Sequence, residues 1–214
     1  MGLIAKAKGG GNFELVPEDQ HLARCVLVCD IGTHDSTYGH KHQCLIGWEF
    51  PEVLQVYDEA KGKEPAMLSS FYTLSLGDKA NLRHMLESWR GRAFTPEELD
   101  GFDLFCLAGI GCLVQVVHVV KQNGDTRAKI QTVSKLHKSM TVPEQVTPTR
   151  TFCLTESTAE DFEALPEWVR NKIKESAEWP EFMRRTMGTD SQAEPAEYVE
   201  DLSGGADQPD AVPF

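Results

Sequence analysis

In the run Thr126–Lys135, strand alternation places Arg127, Lys129, Gln131 and Lys135 on one face and Ala128, Ile130, Thr132 and Ser134 on the other. Such a face carries positive charge and hydrogen-bond donors, which suits the phosphates of a polyanion. Lys121, in the connection just before it, and Lys41, at the start of an earlier run, extend the set of cations. Charged outer faces are also the default for antiparallel sheets, so simple solvation is the competing reading. Binding a single strand without sequence preference needs aromatic faces as well, each contributing about 1–3 kcal/mol per stacked base. Phe71 shares a strand face with Thr73 and Ser75, and Tyr38 lies in a polar connection; these are the stacking candidates. Trp48 alternates with Cys44, Ile46 and Phe50, which favours a core position, but it is kept among the candidates.

Other chemistries find less support. Among seven histidines, His34, His40 and His42 cluster in sequence, yet their spacing specifies no metal site. His118 alternates with Val114 and Val116, as a core histidine would. No G-x-S-x-G or H-E-x-x-H is present. The six cysteines form no C-x-x-C pair, and most sit in apolar runs, which points to a reducing, cytoplasmic setting. Gly9-Gly10-Gly11 is followed by no Gly-Lys-Ser/Thr and is not a phosphate loop. No metal, cofactor or catalytic activity is expected. No apolar run is long enough for a membrane span, and Met1–Lys6 resembles neither a signal peptide nor a myristoylation site.

The elements that must hold the candidates follow from periodicity. Strands are expected at Leu22–Ile31, Lys41–Phe50 and Ala66–Leu76, with Gly32–His40 as a loop. Cys25, Leu27, Cys29 and Ile31 should share a face of the first. The period then becomes helical: Leu82, Met85, Leu86 and Trp89 form a stripe, with Asp78 as N-cap and Gly91 just past the end. Thr95-Pro96-Glu97-Glu98 opens a second helix as a capping box. Cys112–Val120 and Thr126–Lys135 are then two strands joined through Asn123-Gly124 as a hairpin. Five short strands with a helix between the third and fourth is the order of the OB-fold, a partly open barrel. Its oligonucleotide-gripping loops would be Gly32–His40 and Lys121–Asp125. After a linker, Thr149–Thr155 reads as an edge strand, Ser157-x-x-Glu160 as a capping box, and Pro166–Trp179 as a helix ended by Pro180. That helix is expected to pack on the barrel, with a homodimer contact as the alternative.

The fold class is thus mostly β with helical insertions: an OB-fold five-stranded barrel, an extra C-terminal helix and a disordered acidic tail. Residues 1–12 are read as a flexible arm, 13–138 as the OB domain, 139–185 as linker and helical extension, and 186–214 as the tail. The net charge of −12 is unevenly spread. Residues 186–214 hold seven acids and no Lys or Arg, whereas residues 104–155 hold six bases and two acids. A binding domain with an acidic interaction arm is the expectation. The arm ends Asp207-Gln208-Pro209-Asp210-Ala211-Val212-Pro213-Phe214. Its terminal ring could fill a small apolar pocket while its carboxylates meet a basic rim.

This tip resembles that of bacterial single-stranded-DNA-binding proteins, which end in acidic residues and Pro-Phe. The body resembles phage-encoded single-stranded-DNA-binding proteins of OB-fold type. The residues carrying that likeness are Tyr72-Thr73-Leu74-Ser75-Leu76, Leu86–Arg92, Phe94-Thr95, Glu98-Leu99, Gly101–Leu104 and the hairpin Cys112–Val133. The resemblance implies cytoplasmic work in replication, recombination and repair, in the infected bacterial host if phage-encoded. Partner enzymes would dock through Asp207, Asp210, Pro213 and Phe214. The bacterial proteins lack the extra helix, which puts their tetrameric assembly in doubt here. The rival expectation is an OB-fold protein-interaction module without useful DNA affinity.

Overall fold

The computed structural model describes residues 14–188 apart from Tyr38, Glu59 and Lys61. The expected arm at 1–12 lies outside the described residues. So do Tyr38 and the acidic segment from residue 189 on, with Asp207, Asp210, Pro213 and Phe214. The six strands are β1 (Gln20–Ser36), β2 (Gly39–Asp58), β3 (Gly62–Thr73), β4 (Gly111–Val120), β5 (Thr126–Ser134) and β6 (Arg150–Phe152). They form one sheet whose path runs β3-β2-β1-β4-β5 with antiparallel neighbours, and β6 joins β1 in parallel. No ladder joins β3 to β5 among the described residues; they are the two ends of the path.

The first two strands are longer than their apolar runs. Gly32–Ser36 pairs with Gly39–Gln43, so the expected loop is largely a two-stranded ribbon. Its polar residues mimic a loop because a ribbon with little buried surface needs no apolar alternation. Two bulges then decide what faces where. Cys25 pairs with Trp48 and Leu27 with Gly47, leaving Val26 extra; Ile31 is extra in the same way. An inserted residue inverts the alternation beyond it. Cys25 and Val28 therefore enter one core, whereas Leu27, Cys29 and Ile31 enter a second core on the opposite face. The expectation that Cys25, Leu27, Cys29 and Ile31 share one face is corrected on this ground. In β5 the extra residue is Gln131, so Val133 is buried and Thr132 exposed, the reverse of simple alternation.

The first core lies between the sheet and α1 (Asn81–Arg90), which buries Leu82, Met85, Leu86 and Trp89 as its stripe requires. Helix α1 packs against both β3 and β5 and so spans the two ends of the sheet. Gly91 closes it at φ +68°, but Ala80 rather than Asp78 stands at the N-cap. Asp78 instead pairs with Arg83 at 2.5 Å. Helix α2 (Pro96–Asp100) has the expected Thr95/Glu98 capping box.

The second core is roofed by the C-terminal extension. Helix α3 (Ala159–Glu163) is capped by Thr158 and Asp161, one residue beyond the expected Ser157/Glu160 box. The single helix expected at Pro166–Trp179 is two, α4 (Glu167–Lys174) and α5 (Trp179–Met187). Pro180 opens α5 instead of stopping α4, because the first turn of a helix needs no N–H from it. Helix α5 also runs past residue 185, where the acidic tail was expected to begin. Phe152, Phe162, Val169, Ile173 and Phe182 are all buried here against Leu27, Ile31 and Leu45. Among the described residues no helix is long and apolar enough to cross a membrane.

Candidate nucleic-acid interface

The two unpaired ends of the sheet frame a groove of about 1200 Å³. One wall comes from β2 and β3 through Lys41, Gln43, Phe71 and Thr73. Lys129, Gln131 and Thr132 of β5 form the facing wall, and the turn before α1 supplies Lys79 with His84 behind it. Among the described residues no carboxylate pairs with Lys41, Lys79 or Lys129. The one carboxylate on the wall, Asp78, is engaged by Arg83. Among the described residues the groove thus presents three ammonium groups without a carboxylate partner against one neutralised acid, a field that attracts an extended polyanion.

Three of the sequence candidates, Lys41, Phe71 and Lys129, meet in this groove. Lys121 and Arg127 sit instead at the far tip of the β4–β5 hairpin. That tip is a three-residue turn: the amide of Gly124 donates to the Lys121 carbonyl (2.9 Å) and the amide of Lys121 to the Asp125 carbonyl (2.8 Å). Gly124 takes a positive φ, +88°. Lys135 lies at the opposite end of β5, exposed, its stem passing Gly91 where a cation favours the helix C-terminus. Trp48 is corrected: it is 0% exposed, packed 6.0 Å from Trp89 in the first core, and offers no face to a base. Lys79, Gln43 and His84 were missed. Their types carry no signal; only the fold brings the turn before α1 beside β3.

Phe71 is 49% exposed on the outer face of β3, opposite Leu45. Its ring meets that of Trp168 edge to face, with centroids 6.3 Å apart and planes at 86°. Trp168 is also 49% exposed, although its neighbours Val169 and Ile173 anchor α4 in the second core. A polar clasp fixes the extension further along. The Glu178 carboxylate accepts from the amide of Thr33 (2.7 Å) and from its hydroxyl (2.5 Å), and the amide of Ala177 donates to the Thr33 carbonyl (3.1 Å). Burial would push the Glu178 carboxyl up, but the Thr33 donors outweigh it and hold it below the ordinary range. His42 joins this clasp, with Nε2 2.7 Å from Asp30 and Nδ1 3.6 Å from Glu178. The hydrogen bond to Asp30 raises its pKa.

The remaining histidines of that region go elsewhere: His34 is buried on the Ile31 carbonyl, and His40 pairs with Asp35. Arginines of the helical insertion are also committed. Arg83 bonds Asp78 and Glu87, while Arg90 and Arg92 converge on Glu98, whose carboxyl is held at about 2. Cys25, Cys29, Cys44 and Cys112 are buried, and burial raises the Cys25 and Cys44 thiols to about 12; Cys106 is exposed. In comparison with known proteins, no protein-family model and no curated protein matches the chain.

Proposed function

We propose that this protein binds single-stranded DNA without sequence preference, in the groove between β3 and β5. In this reading the sheet is an OB-type barrel whose seam stays open to admit the strand. The strand order, and a helix placed between the third and fourth strands, support it. The observation that carries the function is the convergence of Lys41, Lys79 and Lys129, which have no acidic partner among the described residues, with the half-exposed ring of Phe71. Cations track the phosphates and the ring receives a base, which is what sequence-tolerant single-strand binding requires. The protein then coats exposed strand and prevents re-pairing, and the acidic arm ending Pro213-Phe214 presents itself to replication and recombination enzymes.

Anisotropy of a labelled oligo-dT tests the reading. Affinity should fall with salt, by about 0.7 in log–log slope per phosphate contact on a single strand. Lys41→Ala/Lys129→Ala should bind more weakly and with a shallower slope, and duplex of equal length should bind worse than single strand. Absence of binding by the wild type at low salt would reject it. One observation favours the rival protein-interaction reading: Leu54, Val56 and Tyr57 are exposed along the β2–β3 ribbon. Capture of a protein partner through those residues, with no oligo-dT affinity, is the outcome that would select it.

A further inference from the structure

We infer that Trp168, contributed by the C-terminal extension, stacks a base of the bound strand and completes the binding surface begun by Phe71. The inference rests on the single-strand reading above and extends it to a part of the chain outside the barrel. Three observations meet at this residue. A tryptophan left 49% exposed beside an equally exposed phenylalanine forgoes burial that α4 gives readily to Val169 and Ile173. In an edge-to-face pair the partner occupies at most one face of one ring, so each ring keeps a face that the other does not cover. The pair also stands at the margin of a groove whose lysines are placed for phosphates: Phe71 lines the same wall as Lys41 and Thr73. The matching partner is a chain carrying anionic groups and flat heterocycles in alternation, which is a single-stranded nucleic acid. Helix α4 is held for this purpose by the second core, and the clasp at Thr33 fixes the turn that follows it.

Tryptophan fluorescence gives a direct readout. Of the four tryptophans, Trp48 and Trp89 are buried and Trp179 is packed against the second core, so Trp168 is the one a strand can reach. Unlabelled oligo-dT should quench wild-type emission. Trp168→Phe should bind more tightly than Trp168→Ala, since a ring remains, yet lose most of the quench. Trp168→Ala should weaken binding roughly 5- to 150-fold, the span that one base–aromatic stack supplies. Circular dichroism and thermal melting of both variants check the fold. Unchanged affinity in Trp168→Ala, or undiminished quenching in Trp168→Phe, would overturn the inference. If Trp168→Ala binds normally while Lys41→Ala/Lys129→Ala does not, the groove stands and only the role of Trp168 falls. If the wild type binds no oligo-dT by anisotropy, both fall.

Discussion

Glu178 and Thr33, separated by 145 positions, are joined by two hydrogen bonds of 2.7 and 2.5 Å to the two oxygens of one carboxylate. The contact ties the start of α5 to the β1–β2 ribbon and so couples the extension to the sheet. It is made possible by the residue beside it. At Gly32, φ is +79°, and an added Cβ would lie 2.5 Å from Ser176 Cβ and 2.7 Å from a Glu178 oxygen.

Gly32→Ala should therefore loosen the extension. A left-handed φ alone costs a non-glycine residue about 1–3 kcal/mol, and the steric conflict adds to it. Urea unfolding should show the loss, and limited proteolysis should show earlier cleavage between residues 149 and 178. A variant as stable and as resistant as the wild type would mean that the clasp is not tight.

His42 gives the same clasp a pH dependence of defined sign. Its pKa is raised above the ordinary 6.5 mainly by the hydrogen bond to Asp30. A raised value means that the stabilisation is fully present below the unfolded-state pKa and is lost as pH rises through the folded one. The melting-temperature gap between wild type and His42→Gln should thus be widest in mildly acidic buffer and should close on the alkaline side. A gap that widens with rising pH would contradict the assignment. The group is more than a third exposed, so the effect is a small one.

Trp48→Phe should separate packing from binding. The indole fills a fully buried site, so the smaller ring leaves a void and costs about 0.5–3 kcal/mol. Oligo-dT affinity, measured by anisotropy where the variant is fully folded, should remain that of the wild type. A selective loss of affinity would return Trp48 to the interface.

Lys121→Ala/Arg127→Ala should affect binding less than the groove pair does. Both side chains stand at the hairpin tip, away from the groove wall. The salt slope should stay that of the wild type, whereas each groove lysine removed should lower it by about 0.7. Equal slopes for the two double variants would place the strand along the hairpin instead.

Much of the frame was legible from local chemistry. The stripe of α1, the Thr95/Glu98 box and the β4–β5 hairpin follow from spacing and turn residues, and all are found. What misled was the extra residue in a strand. Val26, Ile31 and Gln131 carry no mark that sets them apart from their neighbours, yet each inverts the side to which later residues point. The second core was hidden for that reason: Leu27, Cys29 and Ile31 looked like one barrel face with Cys25. Pro180 misled differently, since a proline both stops helices and starts them, and only the packing of Phe182 decides between the two. At the site, the lysines of β2 and β5 could be read as a phosphate-facing set. Lys79 and Trp168 could not, because their neighbours in space come from distant parts of the chain.

Strand β6 is only three residues long, but it covers a stretch of β1 that β4 does not reach. The β4 ladder ends at Arg24, and β6 takes Leu27–Cys29. Without it this buried, apolar stretch of β1 would show a naked row of amides and carbonyls to other chains. The short segment acts as a guard against cross-chain strand pairing along that stretch of β1.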